Sequence, residues 1–152
     1  MEGRPAASVA APQAEAIRQT LAELFGTPNA PRVPEGVQLR SDLLTAAAGP
    51  VAGDARGRQR GLFRRHCITC HGLAGDGAGP TAAMLDPYPR DFRSGVFKYT
   101  STRSGAKPIH KDLERTLYRG IPGTAMPSFA HLRPEETDAL QSMRNSSRQR
   151  LR

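Results

Sequence analysis

The chain has 152 residues, and 22 Lys and Arg against 14 Asp and Glu give it a formal net charge of +8. That length allows one domain with additional sequence, and no apolar run reaches the roughly 18 residues that a membrane span needs. The 13 Pro and 15 Gly exclude a long-helix or coiled-coil protein. With 5% aromatic residues and no Trp, the core is small, which favours a domain stabilised by a cofactor or metal.

The N-terminal part of the chain is predicted to be an extension, residues 1–56. Residues 1–11 are rich in Ala and Pro and lack the apolar core of a secretory signal peptide. Residues 12–25 place apolar side chains at helical spacing, which predicts a short amphipathic helix ended by a glycine. Residues 27–56 are rich in Pro and Gly and are interpreted as a linker, with a brief helical turn at 41–48.

The main domain is predicted to be all-α and to cover residues 57–152. Its helices and turns are expected, in chain order, at 57–71, 81–85, 112–119 and from Pro134 onward. Asp112 is expected to be the N-cap of its helix. No segment shows the pattern of a strand. Four arginines and no apolar stripe follow Met143, so the last helix is predicted to fray from about Asn145.

One short motif carries the chemistry: Cys67-Ile-Thr-Cys70-His71. Two thiols separated by two residues at the end of a helix can each add to one of the two vinyl groups on a porphyrin edge. The next residue can then present its imidazole to the iron. The motif therefore predicts one covalently attached haem c per chain, with His71 as the proximal iron ligand.

Two other uses of a Cys-x-x-Cys pair compete with haem attachment. A thioredoxin-like redox pair requires a βαβ unit, which the predicted elements do not supply. A zinc site with two thiolates and two imidazoles requires two histidines at helical spacing. The four histidines of the chain, which are His66, His71, His110 and His131, contain no such pair outside the motif. Haem attachment is the favoured interpretation, and zinc or dithiol chemistry is the alternative.

The second iron ligand is expected to be Met126. A thioether holds both iron oxidation states and raises the reduction potential. Met126 follows the 112–119 helix at a distance that allows its loop to return over the distal face of the ring. The other methionines are terminal, too close to the motif, or in the polar tail: Met1, Met84 and Met143. Two histidines remain as competing ligands: His110 and His131.

From about Gly57 to Leu140 the sequence resembles the monohaem class I c-type cytochrome domains of bacteria. The matching pieces are CITCHG at 67–72, GDGAGP at 75–80, YPRDF at 88–92 and GIPGTAMP at 120–127. The resemblance implies a cytochrome c-like helical domain wrapped around a covalent haem, with the N-terminal segment as an extension. It also implies a periplasmic or otherwise extracytoplasmic location, because haem is attached outside the cytoplasm in such bacteria.

The same resemblance implies further contacts with the haem. Pro80 would accept the Nδ1 hydrogen bond of His71 through its carbonyl oxygen. Near the haem propionates it places Arg90, Arg93 and Tyr99. The apolar residues that it places around the porphyrin are Leu85, Phe92, Phe97, Leu117, Ile121 and Phe129. The C-terminal helix would cross the N-terminal helix.

Electron transfer without catalysis is the predicted function, since no Ser/His/Asp set, carboxylate pair or phosphate-binding loop is present. Basic residues cluster between the two predicted ligands: Arg93, Lys98, Arg103, Lys107 and Lys111. Weak electrostatic docking suits redox exchange, so the cluster predicts acidic redox partners, and specific nucleic-acid binding is not expected. If Met126 does not bind, the alternative is a gas-binding sensor or weak peroxidase. Without haem, the alternative is a basic polyanion-binding protein.

Overall fold

The computed structural model describes residues 10–27, 29–36, 40–49, 51, 60–103 and 106–149, with residues 143–149 described by their backbone alone. Within these ranges the chain is mostly helical, as predicted. The helices are α1 (Ala11–Phe25), α2 (Ser41–Ala48), α3 (Leu62–His66), α4 (Ile68–His71), α5 (His110–Arg119) and α6 (Pro134–Gln149). A single-turn 3₁₀ helix spans Ala82–Met84. The predictions made for residues 1–9 and 150–152 lie outside the described residues.

A small antiparallel ladder follows α1, which itself confirms the helix predicted at 12–25. Strands β1 (Gly26–Thr27) and β2 (Ala30–Pro31) pair directly after the helix ends. Gly26 has a φ of +69°, and a Cβ added to it would lie 2.1 Å from the carbonyl oxygen of Ala30. The expectation that the chain contains no strand is therefore wrong. The ladder forms because glycine at 26 lets the chain reverse where a side chain would collide.

α2 packs against α6, as α3 and α5 also do, whereas no residue of α1 is buried. The structure confirms the helical turn predicted at 41–48, and its buried residues are Leu44, Ala47 and Ala48. α2 also packs against α3. Residues 41–48, which were interpreted as part of a linker, therefore belong to the packed body of the molecule.

A buried arginine joins the N-terminal ladder and α2 to α3. Arg64 Nε donates a hydrogen bond of 2.9 Å to the carbonyl oxygen of Ala48, the last residue of α2. Its guanidinium also donates to Asn29 Oδ1 in the turn between β1 and β2. The C-terminal carbonyls of a helix favour a cation, so this position suits arginine.

The core lies where α2, α3, α5 and α6 meet. Its buried residues are Ala47, Leu62, Phe63, Phe92, Leu117, Ala139 and Leu140. α6 begins at Pro134, as predicted, and Glu136 accepts a hydrogen bond of 2.9 Å from the N–H of Arg133 just before the helix. Among the described residues, no helix has both the length and the apolar composition to cross a bilayer.

The backbone of α6 is helical as far as Gln149. Fraying from about Asn145 concerns how stably these turns are held, so it stays a prediction. Extending an existing helix adds one hydrogen bond for each residue that is fixed. Arginines near the C-terminal end also complement the helix dipole, a contribution that counting apolar side chains leaves out.

α5 begins at His110, two residues earlier than predicted, and Asp112 lies inside its first turn rather than at the N-cap. Asp112 Oδ2 accepts a hydrogen bond of 3.2 Å from the N–H of Ile109, and Oδ1 accepts one of 3.0 Å from the N–H of Ser101. Burial alone would raise the pKa of this carboxyl group, but these bonds and the charge of Arg115 lower it. Asp112 thus ties the preceding loop to α5.

Candidate functional site

The Cys-x-x-Cys-His motif begins at the junction of α3 and α4 and ends with α4, and the two helices form one almost continuous segment. The segment is interrupted at Cys67, where φ is −122° and ψ is −34°. Helical hydrogen bonds still run through the interruption, from Cys67 N–H to the Phe63 carbonyl at 2.9 Å and from His71 N–H to the Cys67 carbonyl at 2.8 Å. The helix predicted at 57–71 is thus confirmed from Leu62 onward, and residues 57–59 lie outside the described ranges.

The glycine-rich loop after the motif folds back onto the end of α4. Carbonyl groups at the end of a helix lack partners within the helix, and this loop supplies them. Gly77 N–H donates to the His71 carbonyl at 3.0 Å, and Gly79 N–H donates to the Cys70 carbonyl at 3.1 Å. The N–H and Oγ1 of Thr81 both donate to the Thr69 carbonyl. The loop thereby fixes the backbone that presents His71.

A deep cleft opens beside the motif, between the α3–α4 segment, α5, α6 and two loops. The loops comprise residues 85–99 and 121–129. The four side chains predicted to bind haem and its iron all line the cleft: Cys67, Cys70, His71 and Met126. So do all six apolar residues expected there: Leu85, Phe92, Phe97, Leu117, Ile121 and Phe129. The empty space of the cleft is about 1280 Å³, open solvent at the mouth included.

The imidazole of His71 is held by a main-chain oxygen and an aromatic ring. Its Nδ1 lies 3.1 Å from the carbonyl oxygen of Arg90. A carbonyl can only accept, so Nδ1 carries a proton, and Nε2 is the nitrogen available to an iron ion. The ring stacks on Phe92 at a centroid distance of 4.3 Å. The side chain is therefore oriented in the tautomer suited to metal binding.

Pro80 does not have the role that the resemblance implied, because Arg90 supplies the carbonyl that accepts from His71. Pro80 is exposed and does not line the cleft. The residues on either side of it are engaged with the carbonyls at the end of α4, so the loop turns Pro80 outward. The N–H of Phe92 donates to the Gly75 carbonyl at 2.7 Å, and this bond brings residues 90–92 against the imidazole instead.

The loop that carries Met126 is anchored to the end of α5. Met126 N–H donates to Thr124 Oγ1 at 3.1 Å, and the Met126 carbonyl accepts from Ile121 N–H at 3.1 Å. Further along, Phe129 N–H donates to the Leu117 carbonyl at 2.9 Å. The thioether therefore comes from a loop whose backbone is fixed on both sides of the methionine.

The other predicted contacts divide into those inside and those outside the cleft wall. Arg90 and Tyr99 line the cleft, and Arg93 does not. Arg93 instead pairs with Asp91, with Nη2 2.9 Å from Oδ2, because the two side chains leave the same turn two residues apart. Three other residues considered as iron ligands also lie outside the wall: His110, His131 and Met84.

His66 also lines the cleft, although it is not among the haem contacts predicted from the sequence. Its Nε2 is buried and has no hydrogen-bond partner among the described residues. The ring lies 5.9 Å from Phe129 and 6.0 Å from His131 between centroids. Burial, followed by the charges of Arg65 and His131, lowers the pKa of His66. His66 stands four residues before Cys70, and residues at that spacing share a helical face. This spacing could have identified His66 as a residue of the cleft wall.

The residues around the cleft fit a covalently attached haem. Neither Cys67 nor Cys70 forms a disulfide bond, and both line the same wall as the oriented imidazole and the thioether. Haem c attachment uses two such cysteines and the adjacent histidine, and an axial His and Met are a ligand pair found in cytochromes c. The apolar wall matches the hydrophobic faces of a porphyrin.

Comparison with known proteins agrees with haem binding in the cleft. The family model described as cytochrome c matches residues 55–142. A chain of the Kuenenia stuttgartiensis reducing HAO-like protein complex Kustc0457/Kustc0458 is similar, with 30% identity and a TM-score of 0.55. That similarity covers 57% of this chain and only 39% of the other chain. No curated protein matches significantly. Because the family model matches more than half of the chain, the chain belongs to the cytochrome c family.

Proposed function

We propose that the protein carries electrons through a single haem c attached to Cys67 and Cys70, with His71 and Met126 as the axial iron ligands. Family membership supports haem-based electron transfer. One observation carries the finer proposal: the two thiols, the imidazole and the thioether line a single cleft whose wall is otherwise mostly apolar.

Each of these residues has a distinct task in the proposed site. When bound, haem supplies an iron that cycles between Fe(III) and Fe(II). His71 Nδ1–H donates a hydrogen bond to the Arg90 carbonyl. This bond makes Nε2 more basic and therefore a better metal ligand. Met126 supplies the soft sulfur that favours the ferrous state. Because protein side chains take both axial positions, we propose no enzymatic activity.

We further propose that the partners are acidic redox proteins and that exchange takes place outside the cytoplasm, most directly in a periplasm. Lys98 lines the cleft, and the remaining predicted basic residues except Arg93 lie exposed on nearby segments: Arg103, Lys107 and Lys111. Arg93 is already paired with Asp91 and contributes less. The similar chain of known structure belongs to an HAO-like protein complex, which supports a protein as the partner.

Haem staining after denaturing electrophoresis tests attachment. Protein produced together with haem-maturation machinery should retain the stain, because thioether bonds survive denaturation. The Cys67→Ser/Cys70→Ser variant should lose the stain. Extraction of the haem from the wild-type protein by acid–acetone would contradict the proposal.

The absorption spectrum tests the axial pair. Met126→Ala should abolish the weak near-red sulfur-to-iron band of the ferric protein and allow carbon monoxide to bind the ferrous protein. Met84→Ala is the matched control, because Met84 is 77% exposed and lies outside the cleft. If Met126→Ala keeps the spectrum while a substitution at His110 or His131 changes it, the ligand assignment is wrong.

Small redox reagents of opposite charge test the docking surface. Lys98→Glu should slow oxidation of the reduced protein by anionic ferricyanide and accelerate oxidation by cationic tris(phenanthroline)cobalt(III), since the charge at the mouth of the cleft attracts or repels the reagent. Arg18→Glu on α1 is the control with the same change of charge. Equal effects of the two variants would contradict a docking surface at the cleft.

A further inference from the structure

We infer that Gly77 is a positioning residue for the proximal ligand: because residue 77 has no side chain, the backbone of residues 89–91 can close against His71. The inference rests on the proposed function, in which His71 binds the iron. It concerns a residue that would touch neither the haem nor the iron and would act through the Arg90 carbonyl.

The space around Gly77 leaves no room for a side chain. A Cβ on this residue would lie 2.5 Å from the carbonyl oxygen of Pro89 and 3.3 Å from the amide nitrogen of Asp91. Both atoms belong to the backbone, so the nearer contact could be relieved only by moving the chain. The residue between them is Arg90, whose carbonyl oxygen lies 3.1 Å from His71 Nδ1.

Gly77 also holds the main chain of His71. Its N–H donates a hydrogen bond of 3.0 Å to the His71 carbonyl. One residue therefore contacts both the backbone of the ligand and the segment that accepts a hydrogen bond from its side chain. A displacement of residues 89–91 relative to Gly77 is thus a displacement of the acceptor relative to the imidazole.

Gly75 also lies close to the segment that contacts His71, but its nearest neighbour is a side chain rather than the backbone. A Cβ on Gly75 would lie 3.3 Å from Cδ2 of Phe92, and the Phe92 ring stacks on the His71 imidazole. A side chain can yield more easily than a backbone. An added methyl group should therefore disturb the imidazole less at Gly75 than at Gly77.

The electronic consequence has a definite sign. A hydrogen bond from Nδ1 to a carbonyl raises the basicity of the imidazole and favours the more highly charged ferric state. Weakening that bond should raise the reduction potential. A tenfold loss of the ferric preference corresponds to a rise of about 59 mV for a one-electron couple.

The experiment compares three alanine variants of the haem-loaded protein, which are Gly77→Ala, Gly75→Ala and Gly36→Ala. Gly36 is the control, because its φ of +77° is close to the +80° of Gly77 while nothing lies within 4 Å of its added Cβ. The measurements are the reduction potential and the rate at which the His71 Nδ1 proton exchanges with solvent. Both should increase most for Gly77→Ala, less for Gly75→Ala, and not at all for Gly36→Ala.

The outcomes separate this inference from the proposed function. If the wild-type protein shows an iron-bound His71 and Gly77→Ala has the same potential and exchange rate as Gly36→Ala, the inference alone is wrong. If Gly77→Ala fails to load haem, Gly75→Ala decides, and an unshifted potential there overturns the inference. A wild-type protein without covalent haem or without His71 ligation overturns the proposed function, and this inference with it.

Discussion

α1 and α2 are both short helices with an apolar stripe near the N-terminus, but only α2 packs into the body. α1 has 15 residues and buries none, while α2 has eight and buries three. The stripe of α1 remains 43–51% exposed at Ile17, Leu21 and Leu24. Two of the three buried residues of α2 are alanines, and its buried Ala47 shares a cluster with Ala139 of α6. Apolar spacing predicts a helix, whereas side-chain size at the contact decides how closely two helices approach.

The largest expected effect comes from making the same substitution on each helix. Leu44→Ala on α2 should lower the free energy of unfolding by about 2–5 kcal/mol, because it removes a buried side chain and leaves a cavity. Leu21→Ala on α1 should change it by no more than about 0.5 kcal/mol, as for other surface sites. Urea unfolding of the haem-loaded protein measures both. Equal losses would mean that α1 packs as firmly as α2.

The exposed ion pair of α1 should contribute less to stability than the buried carboxylate of α5. Asp112→Asn should cost about 1–3 kcal/mol, because the N–H groups of Ser101 and Ile109 lose a charged acceptor that is itself buried. Glu15→Gln should cost less, because the Glu15–Arg18 pair is exposed and solvent screens it. Thermal unfolding at pH 7 measures both losses, and a larger loss for Glu15→Gln would contradict this ranking.

The contribution of Asp112 to the free energy of unfolding should also depend on pH. The pKa of Asp112 is lower in the folded protein than its ordinary value of 3.8, so its contribution to stability is complete well above that value. It should be lost as pH falls from about 4 through the lowered pKa. The stability difference between wild type and Asp112→Asn should therefore shrink below about pH 4. A difference that grows as the pH falls would contradict the hydrogen-bonded carboxylate.

α6 offers a stabilising change. The amide Nε2 and Oε1 of the fully buried Gln141 have no hydrogen-bond partner within the described part of the chain. Gln141→Met should raise the free energy of unfolding by about 1 kcal/mol, because a buried polar group without a partner is costly. Gln13→Met on the exposed α1 is the control and should have no effect. A lower melting temperature for Gln141→Met would indicate that a bound water satisfies the amide.

The smallest effect is expected at the far end of α6. Deleting residues 145–152 should leave the melting temperature of the haem-loaded protein nearly unchanged, with a loss of less than about 0.5 kcal/mol. The segment contains one large apolar residue, Leu151, and no acidic residue to offset its arginines. A drop of many degrees would show that the end of α6 packs on the domain.

Proline and glycine correctly predicted two of the helix boundaries. Pro134 marks the start of α6 and Gly26 the end of α1, since proline and glycine act on the backbone where they stand. Asp112 was misplaced because an aspartate satisfies N–H groups both at the N-cap and from the first turn. The β1–β2 ladder is two residues wide, which is too short for an alternating pattern.

The candidate site was predictable from the sequence where a side chain is the group that would bind the haem or its iron. Cys67, Cys70, His71 and Met126 could be named because thiol, imidazole and thioether have distinct chemistry. The oxygen that accepts from His71 could not be identified in this way, since every residue has a carbonyl and only the fold decides which one approaches. Neither could the packing of α2, which depends on contacts far along the chain.

The position of α2 also sets the size of the transferable unit. The cytochrome c match begins at residue 55, after α2 has ended at Ala48. A chimera that borrowed only residues 55–142 would inherit the cysteines, the imidazole and the thioether, but the α6 surface that α2 covers would face water. An exposed apolar surface of that kind promotes aggregation. A graft that begins at residue 41 would carry its own cover and could be moved into another protein as a redox module.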